Sequence, residues 1–224
     1  AASSDYPLRD VYKRQVAGVA QASSLVFDDY DTGAGSVSGT GYAFQSGAML
    51  GGDRLMRSAV ESNAFGLEFE VDAITGRLSV SSQPGVNGFA QLGYGYQDLG
   101  STFGFQDLNF NASAYNAFEI LVLSNDEPTN ITISVRSTQQ NPSTLIMVTK
   151  SLPGGNVNTP TLLTYNFADF TGFNFNDIDQ VYVEIDPATS GDVTIDYFKA
   201  VPEPATMSLL ALAAAGFAAR RRRK

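Results

Sequence analysis

Carboxylates are the plentiful chemistry-bearing groups in this chain of 224 residues, which contains no histidine and no cysteine. Those two absences remove Ser-His-Asp triads, thiolate nucleophiles, imidazole ligands and disulfides. Glu68 and Glu70 alternate with apolar neighbours, which puts both on one face of a strand about 6.7 Å apart. That spacing falls within the roughly 5 to 9.5 Å that glycoside hydrolysis asks of its two carboxyl groups, yet any solvated strand face with alternating Glu meets it. Asp28, Asp29 and Asp31 cluster at one strand end, and Asp192 and Asp196 bracket another strand. Such hard oxygen ligands suit calcium; there is no EF-hand spacing, and turn-forming aspartates that bond local amides give the same pattern. Tyr94 and Tyr96 alternate with Gly93 and Gly95. They are candidates for stacking on sugar faces or, equally, for packing on a sheet edge. Gly33-Ala34-Gly35 lacks the following Lys and the helix that a phosphate loop needs.

The elements that position these groups read as strands. A chain with 21 Gly, 15 Phe and 10 Tyr, 43% hydrophobic and 17% charged, suits one β-rich domain with a substantial core. Leu67, Phe69 and Val71 alternate with Glu68, Glu70 and Asp72, and Leu78 and Val80 alternate with Arg77 and Ser79. The intervening Ala73-Ile74-Thr75-Gly76 is hairpin-length, so Asp72 and Arg77 are expected to face each other. Further strands are expected over 118–123, 130–136, 145–150, 162–167, 181–186 and 193–199, with no amphipathic helix of twelve or more residues. Turns at Gln83-Pro84-Gly85 and Leu152-Pro153-Gly154-Gly155 complete the pattern of an all-β antiparallel β-sandwich or jelly roll over residues 23–200.

The net charge of −9 conceals a division along the chain. The terminal segments 1–22 and 201–224 hold eight of the fourteen basic groups and three of the twenty-three acidic ones, leaving six basic against twenty acidic residues between them. A body that acidic, with Arg54, Arg57, Arg77, Arg136, Lys150 and Lys199 unclustered, repels phosphate backbones, and no nucleic-acid partner is expected.

The ends carry addresses. Val201-Pro202-Glu203-Pro204 precedes a mostly apolar run over 205–219 and then Arg220, Arg221, Arg222, Arg223 and Lys224. As a helix the apolar run is roughly 22 Å long, a short transmembrane span for a hydrocarbon core of about 30 Å, and the basic stop stays cytoplasmic. This three-part tail resembles the PEP-CTERM sorting signal. The resemblance implies a Gram-negative bacterial protein held briefly in the inner membrane, processed by exosortase at the Val201–Pro204 motif, and released to the cell surface or exterior. Residues 16–22, ending Ala20-Gln21-Ala22, read as the remnant of a secretory signal peptide. Residues 1–15 show no coherent pattern, and Asp10-Val11-Tyr12-Lys13-Arg14-Gln15 resembles translated sequencing-adapter read-through; this prefix is expected to carry no native fold.

The opening Leu25-Val26-Phe27-Asp28-Asp29-Tyr30 and closing Val193-Thr194-Ile195-Asp196-Tyr197-Phe198 are similar to the first and last strands of galactose-binding-like jelly rolls. In such folds those strands lie close, which would bring Asp192 and Asp196 toward Asp28, Asp29 and Asp31. The functional expectation is a non-enzymatic surface or matrix protein of an exopolysaccharide or biofilm, binding polysaccharide through its sandwich. The alternative is a carboxylate-dependent glycan-active enzyme.

Overall fold

The computed structural model describes residues 23–74, 76–138 and 144–202. The expected prefix (1–15), signal-peptide remnant (16–22), apolar helix, basic run, Glu203 and Pro204 lie outside the described residues. Among the described residues no helix is long and apolar enough to cross a membrane.

Within them the chain is an antiparallel β-sandwich, as the period-2 alternation requires. Its strands are β1 (Leu25–Asp28), β2 (Gly35–Ser38), β3 (Gly41–Ser46), β4 (Asp53–Asn63), β5 (Phe69–Ala73), β6 (Leu78–Ser82), β7 (Val86–Tyr94) and β8 (Tyr96–Asp98). They continue as β9 (Phe103–Phe105), β10 (Ala117–Asn125), β11 (Thr129–Ser137), β12 (Thr144–Leu152), β13 (Thr161–Asn166), β14 (Gln180–Pro187) and β15 (Val193–Val201). Among the described residues, helical structure is confined to one 3₁₀ turn, Phe167–Asp169.

One sheet runs β13-β10-β15-β6-β5-β2, with β1 added to β15; the other runs β12-β11-β14-β7-β4-β3. A small β8–β9 hairpin stands apart from both. β15 is paired along both edges: β10 lines one, while β6 covers Val193–Ile195 and β1 covers Phe198–Ala200 on the other. The two sheets enclose one apolar layer. Ile131, Ile133 and Val135 of β11 and Val181, Val183 and Ile185 of β14 point inward, as do Val71, Val80, Ile120 and Val122 from the opposite sheet. Phe27, Phe118 and Phe198 meet at ring-centroid distances of 4.6 to 5.6 Å in the middle of this layer. Each such buried apolar side chain contributes about 1.5 to 3 kcal/mol, and the alternation that buries it turns its neighbours outward.

One local expectation is corrected. In the β5–β6 hairpin Asp72 pairs with Ser79 rather than Arg77, because Ala73 pairs with Leu78 and the turn begins one residue later. The amide of Ile74 donates to the Arg77 carbonyl at 3.1 Å, so Arg77 closes the turn and does not face Asp72.

Candidate functional site

The outer face of the second sheet carries the groove. On β14, Gln180, Tyr182 and Glu184 alternate with the inward Val181, Val183 and Ile185, and cross-strand register extends them into rows. Leu145, Arg136 and Gln180 form one row; Met147, Ser134, Tyr182 and Gly93 form the next; Glu184 and Gln91 belong to a third. Over these rows lies the β8–β9 hairpin, whose Tyr96, Phe103 and Phe105 complete a groove of about 290 Å³.

Two glycines make that closure possible. Gly95, between β7 and β8, has φ +86°, and a Cβ there would lie 2.2 Å from the Asp179 carbonyl oxygen. Only a residue without a side chain turns the chain back so tightly. Gly93 leaves open the space that the Tyr96 ring occupies, since a Cβ on it would come within 2.8 Å of Tyr96 Cδ2. Tyr96 is then flanked edge-on by Tyr182 and Phe103, at 5.5 and 5.8 Å between centroids.

The rim is apolar and open: Phe105, Leu145 and Met147 are 54%, 54% and 58% exposed. Within the groove, Arg136 lies 4.6 Å over the Phe105 ring. Gln91 accepts from Arg57 Nη1 at 2.8 Å and from the Tyr182 hydroxyl at 3.2 Å, and donates to Glu184 Oε2 at 2.7 Å. Burial raises the Tyr182 hydroxyl above its ordinary pKa, with Arg57 opposing the rise, so it remains a donor at neutral pH. Gln180 is buried, and no donor among the described residues reaches its Oε1.

The residues singled out from sequence go to different places. Tyr94 is wholly buried, because β7 alternation points it inward with Leu92 and Ala90, and its ring meets Phe27 edge-on at 6.0 Å. That removes the sugar-stacking role expected of it; Tyr96 lines the groove, largely covered by its aromatic neighbours.

The five aspartates considered for calcium do not assemble, and no three of them bring ligand oxygens within 4.8 Å of one another. Asp28 faces Phe198 at one end of β15, whereas Asp192 precedes the Val193 end, where its Oδ1 accepts from the Ser82 amide at 3.0 Å. Asp28 is occupied by protein: Arg54 Nη1 donates to its Oδ2 at 2.6 Å, the Tyr94 hydroxyl to the same oxygen at 2.9 Å, and the Tyr30 amide to Oδ1 at 2.9 Å. Asp29 accepts from the exposed Asp31's amide at 3.2 Å, the local turn bonding of such residues, and Asp196 is half-buried on β15.

Glu70 lies on β5 of the other sheet, away from the groove, and Glu68 precedes that strand, so the two do not share a strand face as expected. Glu68 accepts from the Ser38 hydroxyl at 2.8 Å. Burial, followed by repulsion from Asp72 and Glu68, raises the Glu70 pKa.

The carboxylates that do converge are Asp107, Asp177 and Asp179, each placing one oxygen within 4.8 Å of the others. Asp107 follows β9, and Asp177 and Asp179 lead into β14, so a separation of seventy positions between Asp107 and Asp177 hid their proximity. Asp179 is fully buried beside the groove; its Oδ2 accepts from the Thr138 amide and hydroxyl, and no donor among the described residues reaches Oδ1. Burial pushes the Asp179 pKa up, but the Thr138 bonds, the contact with Asp107 and the Arg136 charge outweigh it and hold it low.

None of the curated proteins matches this chain. Among solved structures it is similar to the family 11 carbohydrate-binding module from Clostridium thermocellum in complex with a β-1,3-1,4-mixed-linked tetrasaccharide: 14% identity, 81% of this chain and 97% of that one, TM-score 0.42. It is also similar to a family 29 carbohydrate-binding module, at 11% identity over 74% of this chain and 88% of that one, TM-score 0.36. A third likeness is to the enzymatically active domain of bacteriophage CBA120 tailspike protein 4, at 8% identity over 79% of this chain and 22% of that one, TM-score 0.39. The tail is read from sequence alone: residues 200–223 match the PEP-CTERM protein-sorting motif, which marks the chain as an exported protein handled by exosortase at the membrane.

Proposed function

We propose that this exported protein binds a polysaccharide strand in the groove between the β8–β9 hairpin and the outer face of β11, β14 and β7. The observation that carries the reading is the groove's composition. An open apolar rim of Phe105, Leu145 and Met147 borders fixed polar groups, and the buried Gln180 Oε1 has no donor among the described residues. Sugar rings present apolar faces to such a rim and hydroxyls to such groups, and a hydroxyl donated to Gln180 would satisfy an acceptor that is otherwise costly to bury. Glu184 is the one carboxylate among the described residues that line the groove, whereas glycoside hydrolysis uses two; this favours binding over cleavage.

The sorting half of the proposal concerns the tail. The apolar segment holds the chain in the inner membrane of a Gram-negative cell, with Arg220–Lys224 inside, and exosortase cuts at or beside Val201-Pro202-Glu203-Pro204. The body, residues 23–200, then reaches the surface or an exopolysaccharide matrix as a jelly-roll binding domain. Supporting a cut beyond Val201, that residue is still in β15, paired with Ala117, and its carbonyl accepts from the Asn116 amide at 2.9 Å. Backbone held in a ladder is poorly accessible to a protease, which favours a cut after the strand rather than within it.

Affinity electrophoresis of the full chain in gels containing bacterial exopolysaccharides tests the binding. Retardation is expected, and Phe105→Ala, at an exposed ring, should weaken it about 3- to 10-fold without changing the melting temperature. Absence of retardation in every polysaccharide, or an unaltered response in Phe105→Ala, overturns the reading of this groove.

A further inference from the structure

The convergence of Asp107, Asp177 and Asp179 concentrates three carboxylates in a volume suited to one ion. Calcium sits 2.3 to 2.6 Å from its oxygen ligands, so oxygens on opposite sides of it are separated by about 4.6 to 5.2 Å, and those in these three residues lie within 4.8 Å. A second observation points the same way. Asp179 is fully buried, and although Thr138 satisfies Oδ2, Oδ1 has no hydrogen-bond donor among the described residues. A buried carboxylate oxygen without a donor is expensive, and each further anion brought to it adds to the cost. Arg136 supplies one positive charge nearby against three negative ones.

The surroundings are fixed by backbone rather than by a second acidic shell. The Leu108 amide donates to the Asp179 carbonyl at 3.0 Å, and the Asp179 amide to the Arg136 carbonyl at 2.9 Å. These bonds hold the segment after β9, the end of β11 and the start of β14 against each other, with the three carboxylates at their junction.

We propose that Asp107, Asp177 and Asp179 bind one calcium ion, which fastens these three segments at the end of the groove. Asp177 and Asp107, half-buried and exposed respectively, leave the ion a solvent-facing side for water ligands. The irregular loops and anionic oxygens suit calcium better than magnesium, which demands near-ideal octahedral geometry at shorter distances. The site stands independently of what the groove binds.

The full chain, stripped with a chelator, is titrated with calcium chloride by isothermal calorimetry and by thermal melting. One saturable site is expected, with affinity in the extracellular range of roughly 0.1 to 1 mM, and a calcium-dependent rise in melting temperature. Asp107→Asn, at the exposed position, should fold as the parent does in chelator yet bind calcium about tenfold or more weakly. The competing account is a single proton shared between Asp107 and Asp179, which calls for no ion. No heat and no shift in the parent, an equal calcium response in Asp107→Asn, or an equal response to magnesium would overturn the assignment.

Discussion

Arg54 and Asp28 form an ion pair of 2.6 Å in the core, with the two side chains 0% and 2% exposed. Arg54 also donates from Nε to Gln45 Oε1 at 3.1 Å and from Nη2 to the Gly33 carbonyl at 2.7 Å, and it lies 5.4 Å over the Tyr30 ring. The guanidinium thus joins β4 to β1, β3 and the loop after β1. Removing it strands Asp28 in the core. Arg54→Met is expected to lower unfolding free energy by about 3 to 5 kcal/mol, and Arg54→Met with Asp28→Asn to recover part of that loss. Urea denaturation of the parent, single and double variants checks both; equal stability of single and double variants would show that the stranded charge is not the cause.

Gly95 makes a sharper demand than any side chain in the groove. At φ +86° and with backbone oxygens where a Cβ would go, Gly95→Ala should cost at least about 2 kcal/mol. The loss should come with displacement of Tyr96, read as a change in near-ultraviolet circular dichroism. Gly100 also has φ +86° but opens onto free space, so Gly100→Ala serves as the control and should keep the aromatic signal.

Glu70 gives a pH dependence of definite sign. Its folded pKa is raised, first by burial and then by Asp72 and Glu68, so the folded state holds a proton more tightly than the unfolded state does. Stability therefore falls as pH rises from the ordinary glutamate value through the raised one, and the penalty persists above it. Glu70→Gln should melt higher than the parent at neutral pH, with the difference vanishing by about pH 3, below the unfolded glutamate pKa, where both states are protonated. Thermal melts of the two proteins across that range decide it.

For the tail, replacing Pro202-Glu203-Pro204 by three alanines should leave the full-length chain in the membrane fraction of an exosortase-positive host, while the parent is shortened and released. Serine in place of the four arginines should weaken retention before cleavage. Equal processing of the triple-alanine chain and the parent would remove the role given to the motif.

What the sequence disclosed follows from how local each signal is. Alternation in Phe69–Ala73, Thr129–Ser137 and Gln180–Pro187 marked strands and their buried faces correctly, since a period of two is written into adjacent residues. The Asp72–Arg77 pairing failed by two residues, Asp72 facing Ser79, an offset that keeps the faces and that turn length alone does not fix. Tyr94 and Tyr96 looked equivalent; Gly95 between them reverses the chain, sending one ring into the core and the other under the groove. Arg54 as the partner of Asp28, and Asp107 beside Asp177 and Asp179, depend on strands distant in sequence meeting in space. No spacing rule in a single chain reveals such meetings. The sorting motif was legible because its parts are contiguous in sequence: Pro-Glu-Pro, then an apolar run, then a cationic one.

The double-edged pairing of β15 bears on how the domain carries load. Tension arriving from residues beyond Val201 runs along the length of that strand, and β10 holds it from Ala117↔Val201 to Asn125↔Val193 while β1 and β6 grip the opposite side. The hydrogen bonds of both ladders lie across the pull, so they are strained together in shear and do not open one by one like a zipper. A body hauled by its tail at a cell envelope would resist extraction at its centre, leaving the groove on the other sheet outside the line of force.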